Sequence, residues 1–593
     1  MTQNKNQGIK AIYLVLIVMS LLVLVCSLPA TFAANQTVDQ SATPSGTVQN
    51  NISSAITNAN NGDTITINPG KYQGSGNNTN ILIEKNLTIK GNGPAKDIII
   101  DGQGLYRIFR IGNNINITFS NITFTNAYFN GNGGAIWSNN ENTRMTFISC
   151  IFTNNRGANG AAIYNKGHNL NITDSTFKNN TGTTTAGAIS NDNANNLSIT
   201  NSNFIENSGN SGGAIHNNRG NNSNVVNCTF DSNNVTGYGG AIYSQYASGV
   251  NFNIVNSTFK NNKANYAGAI YGIASLININ NSTFLGNNAT NSGGAILDRG
   301  GLVNINNSVF KNNKANNGGA LANEVNGGII IANSNFTEND ATSNGGAIYN
   351  SRGSIEIQGS NIINNTKGIF ISSASADAVI NYNRIFNNTD YDLENSGAVV
   401  DADYNWWGSN NPDITKIIGV TLNNYFVMKV VNTTSLESNG TVRFSYTFVL
   451  NTGTAANNNL LPYFITSVST DLAGDAGSFD ARFNKNFDVN LKSNGNVIYT
   501  FITDDEVQSL SGTVEIIEDE VNDGKQGEIV DPNANPENPS IPDVNPESND
   551  HPTAKAHMKK TGIPMNLILL VILSILGILV TKKQNKTLFK RKI

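Results

Sequence analysis

The 593-residue sequence predicts an all-β protein whose main body is a parallel β-helix. Three features carry that reading: a repeat of nearly constant length, an apolar alternation of period two inside it, and a change of parity at one fixed place in every copy. The alanine of a GGAI-like segment falls at Ala135, Ala162, Ala188, Ala214, Ala241, Ala269, Ala295, Ala320 and Ala347, 25 to 28 residues apart. A period of roughly 20 to 50 residues marks a solenoid, in which each repeat buries its apolar face only by stacking on its neighbours. A second column is a phenylalanine followed three residues later by asparagine: Phe129, Phe152, Phe177, Phe204, Phe230, Phe259, Phe284, Phe310 and Phe336. These nine rings are the expected structural core.

Inside one repeat, "GLVNINNSVF", Val303 and Ile305 alternate with polar residues. The same holds at Leu276, Ile277 and Ile279, at Phe252 and Ile254, and at Leu170 and Ile172. Period two with β-branched residues, and no helix-length apolar stripe, gives short strands separated by Asn and Gly turns. Each repeat then holds three strands and three corners, one coil of a parallel β-helix.

Counting back from each phenylalanine, apolar residues lie at minus five and usually minus seven, but a small residue lies at minus two: Cys150, Ser175, Ser202, Cys228, Ser257, Ser282, Ser308 and Ser334. The parity changes in between, so a corner must intervene. Its residue is Ser149, Asp174, Asn201, Asn227, Asn256, Asn281, Asn307 or Asn333. Asn and Asp enter the left-handed backbone region more readily than other non-glycine residues. Stacked about 4.8 Å apart, their amides can bond from coil to coil. The six corner asparagines are therefore the expected ladder, with the minus-two serines and the phenylalanines pointing inwards.

The β-helix is expected over residues 50–424. At its start, Ile52 to Ala59 forms a short amphipathic segment that covers the open end, and strand-like "DTITI" and "LTIKG" follow. At its end, "DYNWWGSNNPD" supplies Trp406 and Trp407 to close the core. Residues 425–517 change character. Longer alternating runs, "GTVRFSYTFVL", "FDVNLKS" and "GNVIYTFI", predict an antiparallel β-sandwich. Residues 518–561 are acidic and rich in Pro and Asn, the composition of an extended spacer.

Lys5 and Lys10, the apolar run from Ala11 to Leu28 and the small residues of "PATFAA" read as a secretory signal peptide over 1–34, cut near Ala33 or Ala34. At the other end, the apolar run Pro564 to Val580 makes a transmembrane helix over 562–581. The basic tail 582–593 that follows belongs on the cytoplasmic side. The expectation is a single-pass cell-membrane protein whose large middle region faces outwards at the cell surface.

Asparagine is close to a fifth of the chain, charged residues are 13%, and the formal net charge is -4. Disordered chains combine low hydrophobicity with high net charge, so the periodic apolar residues here argue for order. No basic stripe supports nucleic-acid binding. Cys26 leaves with the signal peptide. Cys150 and Cys228 share the minus-two column three coils apart, about 14 Å at about 4.8 Å per coil, whereas a disulfide needs Cα atoms within about 7 Å. Both read as small buried residues in place of serine. No cysteine or histidine cluster calls for a metal, and no cofactor is expected.

Beyond the GGAI column the outward positions carry Trp137, Tyr164, His216, Tyr243, Tyr271 and Tyr349. Aromatic rings among short polar side chains can stack on sugar rings while Asn and Ser supply hydrogen bonds. Trp137, Tyr164, Tyr243, Tyr271 and Tyr349 are thus the candidate binding row, although ordinary sheet-surface packing produces the same spacing. Glycoside cleavage requires paired carboxylates. Asp192, Asp298 and Glu324 are scattered in register, and His168 and His216 read as isolated surface residues. N-x-S/T acceptors, among them Asn171, Asn179, Asn196, Asn234, Asn281 and Asn288, make the chain a candidate glycoprotein.

"GGAIYN" and "FKNN" resemble the paired repeat motif of chlamydial polymorphic outer membrane proteins. "NNGDTITINPGKY", "NWWGSNNP" and the C-terminal apolar segment together resemble adhesin-like cell-surface proteins of methanogenic archaea. That second family joins right-handed, single-stranded β-helix stalks of the pectin lyase-like fold to Ig-like modules. The resemblance therefore implies a right-handed helix over 50–424, an Ig-like module over 425–517 and an archaeal adhesin-like role. The partner would be a cell-surface glycan, a cell-wall polymer or a surface protein of another cell, bound without catalysis. The departure from the chlamydial family is the C-terminal end, where one apolar helix stands in place of an outer-membrane barrel. A polysaccharide lyase or hydrolase on the same scaffold, and a purely structural envelope protein, are the alternatives.

Overall fold

A computed structural model describes residues 35–246, 251–372, 374–434, 441–471, 477–490 and 495–514, all within one compact unit. The expected signal peptide (1–34), spacer (518–561), transmembrane helix (562–581) and basic tail (582–593) lie outside the described residues. Among the described residues no helix is long and apolar enough to cross a membrane.

The first part is a parallel β-solenoid of about 14 coils. One coil runs through Leu302–Asn306 in the first sheet, Val309–Lys311 in the second, Lys314–Asn317 in a short fourth sheet and Leu321–Val325 in the third, and returns to the first at Gly328–Ala332. The first, second, third and fourth sheets contain 16, 13, 14 and 8 strands. The middle coils thus carry four strands where the alternation pattern suggests three. The short polar stretch after the F-x-x-N asparagine has no apolar alternation, yet it pairs parallel with its neighbours.

Each corner has its own chemistry. Between the first and second sheets, Asn201, Asn227, Asn256, Asn281, Asn307 and Asn333 adopt φ of 48 to 54°, the left-handed geometry expected of them. Before the third sheet the turn favours two glycines for two reasons, although Ala267 and Ala161 each replace one of them elsewhere. Gly239 takes φ 64°, and a Cβ on Gly240 would collide with the carbonyl oxygen of Gly268 one coil on. Ala241 follows in the fully buried column.

The core is a stack of rings. Phe124, Phe152, Phe177, Phe204, Phe230, Phe259, Phe284, Phe310 and Phe336 lie face to face with centroids 4.6 to 4.9 Å apart. Phe129 is not among them. Strand pairing sets Phe124 opposite Phe152, and Phe129 lies past the next corner, 42% exposed, under the Arg107 guanidinium.

The buried amide ladder is also displaced from the corner column. Its rungs are the asparagines of F-x-x-N, Asn155, Asn180, Asn207, Asn233, Asn262, Asn287, Asn313 and Asn339, continued by Asn365 and Asn388, which follow Ile362 and Ile385 in the same register. At Asn262 the side-chain amide donates to Asn287 Oδ1 at 2.9 Å and to the Phe230 carbonyl at 3.0 Å, while the backbone N–H donates to the same Oδ1 at 3.1 Å. Every amide points the same way along the axis, and the last, Asn388, donates to the Asp392 carboxylate at 2.8 Å. Aligned donors ending on an anion polarise one another. The corner asparagines are exposed and only partly linked, as in Asn227 to Asn201 at 3.2 Å and Asn307 to Asn281 at 2.6 Å.

The minus-two serines are buried and satisfied. Ser282 Oγ accepts the Ser257 N–H at 3.2 Å and donates to the Asn280 carbonyl at 2.9 Å. Cys150 and Cys228 occupy this column as free, buried thiols.

Asn51 caps the helix Ile52–Asn58 by accepting the Ser54 N–H at 2.8 Å, and Ile52, Ala55 and Ile56 close the first coil. The strand Gln36–Val38 already belongs to the first sheet, ahead of residue 50. At the far end the two tryptophans part company. Trp407 closes the solenoid core, while Trp406 enters a second core and donates from Nε1 to Asp504 at 2.7 Å. Asp504 also pairs with Arg384 of the solenoid. That second core lies between two antiparallel sheets. One orders its strands Phe426–Asn432, Thr441–Leu450, Lys485–Asn490, and the other Gly477–Asp480, Ile465–Thr470, Gly495–Thr503, Glu506–Val514.

Candidate functional site

The outward column of the third sheet runs, coil by coil, Arg110, Trp137, Tyr164, Ser190, His216, Tyr243, Tyr271, Leu297, Ala322, Tyr349, Phe370. The five candidate residues share this column, but they do not form an unbroken row. Trp137 and Tyr164 are neighbours, as are Tyr243 and Tyr271, and Tyr349 stands three coils beyond.

Nor are they uniformly exposed. Tyr271 is 1% and Tyr164 4% exposed, whereas Trp137, Tyr243 and Tyr349 are half-buried. The reason is the shape of the corner that precedes them. The left-handed glycine turns the chain so that the residues just before it lean over the outer face of the third sheet. Tyr238, two residues before Gly240, packs on Tyr243 at 6.1 Å and on Tyr271 at 4.9 Å, and stacks on Tyr266 of the next coil at 5.6 Å. The outward column thus lines an inside corner, and around Tyr243 and Tyr271 its exposed aromatic surface belongs to Tyr238 (37% exposed), half-buried Tyr266 and exposed Tyr246. Sequence reasoning passed over these. The available signal was a tyrosine two residues before the second small residue of the turn, in "GYGG" and "NYAG".

His216 is not a surface residue. It is 7% exposed, stacks on Tyr243 at 5.1 Å and meets Gln245 Nε2 at 3.2 Å. Burial pushes its pKa down to about 4, with Asp192 opposing. His168 is half-buried, its Nδ1 accepting the Asn195 N–H at 3.0 Å. A polar rim follows the aromatic cluster. Tyr243 Oη donates to Gln245 at 2.7 Å, Gln245 donates to Asn218 at 3.1 Å, and Asn218 donates to Asp192 at 2.7 Å. Asp192 also accepts the Tyr164 hydroxyl at 2.9 Å.

The three carboxylates have separate lives. Asp192 belongs to that rim, and Glu324 lies 3.9 Å from Arg299 on the outside. Asp298 is fully buried in the adjacent inward column, where burial raises its pKa to about 7. Among the described residues no group of three or more His, Cys, Asp and Glu side chains is arranged to hold a metal. Elsewhere, the outer face of the first sheet carries a half-buried amide row not anticipated from the sequence: Asn304, Asn278, Asn253 and Asn224, joined at 2.8 to 2.9 Å.

Two segments, 227–245 and 333–351, match the Chlamydia polymorphic membrane protein repeat. Each spans one F-x-x-N asparagine and the following Gly-Gly-Ala turn. No curated protein matches the chain. Among solved structures, a point mutant of the tailspike protein of E. coli bacteriophage HK620, in complex with a pentasaccharide, aligns with 13% identity and a TM-score of 0.35. The alignment covers 81% of this chain and 93% of that one. A double mutant of the same tailspike aligns with 14% identity and a TM-score of 0.31, covering 76% and 86%. Scores of this size leave saccharide binding a property of the tailspikes alone.

Proposed function

We propose that this is a cell-surface, adhesin-like binding protein whose solenoid engages glycans at the inside corner of the third sheet, without catalysis. The observation that carries the reading is the cluster Tyr238, Tyr243, Tyr266 and Tyr271, bordered by the hydrogen-bonding rim of Gln245, Asn218 and Asp192. Aromatic faces beside fixed amides and a carboxylate suit the apolar faces and hydroxyl edges of sugar rings. Within this reading the antiparallel module is Ig-like. Its seven described strands in chain order divide as first, second and fifth against fourth, third, sixth and seventh, which departs from the constant-type immunoglobulin arrangement only in the sheet that holds the fourth strand and so supports the assignment. The secretory segment 1–34 and the apolar segment 562–581 would export and tether it.

The test is a screen of the full chain against glycans and cell-wall polymers, with product analysis of every hit. Binding without cleavage is expected, and Tyr238→Ala and Tyr266→Ala should each weaken it about fivefold or more. Cleaved polymer, lost in Asp192→Asn, would overturn the binding-only reading. Unchanged affinity in both tyrosine variants would move the site elsewhere.

A further inference from the structure

Near the N-terminal end of the same outward column stand two arginines, Arg110 within it after Leu82 and Arg107 three residues earlier in the chain. Arg107 is buried. It donates from Nε to the Gly133 carbonyl at 2.8 Å and from Nη2 to the Asn132 carbonyl at 2.6 Å. Its guanidinium lies 3.7 Å from the Phe129 ring centroid and 5.5 Å from that of Trp137. Arg110, beside Trp137 in the column, is half-buried, and its Nε is enclosed without a hydrogen-bond partner. Among the described residues neither guanidinium forms an ion pair within 4.0 Å. Burial, and then the charge of Arg110, push the Arg107 pKa down to about 10.

Two cations that repel each other in a partly desolvated place, with no ion pair among the described residues, form a site complementary to an anion. The rings decide which anion. Phe129 is exposed and Trp137 half-exposed next to the charges, so an occupant must present an apolar face together with a planar, two-oxygen acceptor. A free inorganic anion satisfies only the arginines. A sugar ring carrying a carboxylate satisfies both sets.

We propose that Arg107, Arg110, Phe129 and Trp137 form a subsite for a uronate residue of an acidic oligosaccharide, with Arg110 as the principal carboxylate contact. This rests on reading the third-sheet corner as a glycan surface, and it gives that surface a polarity: an acidic sugar at the N-terminal end, neutral stacking at Tyr238 and Tyr266 about five coils further on.

The probes are trigalacturonate, its fully methyl-esterified form, and sodium sulfate, titrated into the full chain at low and raised salt. Trigalacturonate is expected to bind at least tenfold more tightly than the ester, and to lose that margin as salt rises. Arg110→Gln should abolish the margin, costing the ester far less than the acid, with the thermal melt little changed, because among the described residues Arg110 forms no ion pair and its Nε no hydrogen bond. Arg110→Lys should restore part of it. Trp137→Ala should weaken both oligosaccharides.

An acidic preference that survives Arg110→Gln, or equal binding of acid and ester, overturns the subsite. If the ester's affinity is still lowered by Tyr238→Ala, the wider glycan reading stands without it. Sulfate displacing trigalacturonate at equal concentration overturns the saccharide assignment, and failure of both oligosaccharides to bind overturns subsite and reading together.

Discussion

Replacing Asp298 with asparagine should stabilise the protein at alkaline pH and leave it unchanged at acid pH. Asp298 occupies the inward column of the third sheet in register with Asn323. Elsewhere in that column an asparagine donates to the next: Asn165 to Asn191 and Asn191 to Asn217, both at 2.8 Å. Asn323 Oδ1 is the acceptor that the Asp298 position should serve, and it is buried without a partner. The Asp298 carboxyl receives the Gly301 N–H at 3.2 and 3.3 Å and the Arg299 backbone N–H, too little to offset its burial. A protonated carboxyl can donate to Asn323 and continue the column, whereas a carboxylate faces another oxygen.

Burial accordingly raises the Asp298 pKa from 3.8 to about 7. The sign follows from proton binding. Below about 3.8 both folded and unfolded chains hold the proton. Between 3.8 and about 7 only the folded chain does, so stability falls as pH rises. Above about 7 the loss is complete. At about 1.4 kcal/mol per pH unit, that interval caps it at about 4 kcal/mol. His216, depressed to about 4 by burial, works oppositely: its contribution is present above 6.5 and fades as pH falls towards 4. It is common to both proteins and cancels in their difference.

The assay is urea denaturation from pH 4 to 9, with amide exchange followed on peptides covering 296–331, because a solenoid can open locally. Asp298→Asn should match the wild type near pH 4 and exceed it by up to about 4 kcal/mol at pH 8. A difference independent of pH, or a variant less stable at pH 8, would refute the reasoning.

Asn262→Leu should cost more than Asn281→Leu. The first strands the Asn233 amide and the Phe230 carbonyl in the core, several kcal/mol at about 1 to 3 per group; the second loses turn geometry and an exposed amide bond, about 1 to 2 kcal/mol. Phe124→Ala should cost about 3 to 5 kcal/mol by leaving a cavity, and Phe129→Ala far less; comparable denaturation midpoints for those two would contradict the ring stack. Burial pushes the Cys150 thiol up to about 12 and the Cys228 thiol up to about 11, so neither should react with an alkylating reagent at pH 8 until the chain is unfolded, as intact mass would report. Asp504→Ala leaves Arg384 and the Trp406 indole without their shared acceptor and should loosen the sandwich on the solenoid, seen as faster amide exchange in 404–408.

The period and the parity change made the solenoid legible, because both are consequences of alternation that any stacked coil must obey. The placement of the ladder was legible too, but in a different column from the one the turn chemistry favoured. The corner position admits Ser149 and Asp174 among its asparagines, as an exposed left-handed residue can. The position three after each stacked phenylalanine admits only asparagine from Asn155 to Asn339, because a buried rung must both donate along the axis and accept from the previous coil, and neither serine nor aspartate does both with that reach. Phe129 misled for a related reason. Its own asparagine, Asn132, imitates the motif, while the true stack member Phe124 is followed at plus three by Ala127, whose N–H donates directly to Asn155 Oδ1 at 2.9 Å and so starts the ladder without a side-chain amide.

The aromatic surface was the least legible part. Alternation assigns Tyr271 correctly to the outer face, but outward is not exposed when the preceding corner folds inwards. That depends on the left-handed backbone at Gly239 and Ala267, φ 64° and 58°, which carries Tyr238 and Tyr266 over their neighbours. A binding row read from one column therefore has to be reread as a corner between two: the residues buried beneath set the position of the rings above, and only the upper rings meet a ligand. Tyr271→Ala is then a packing variant, expected to lower stability through the cluster it forms with Leu297 and Ala322, whereas Tyr238→Ala tests binding.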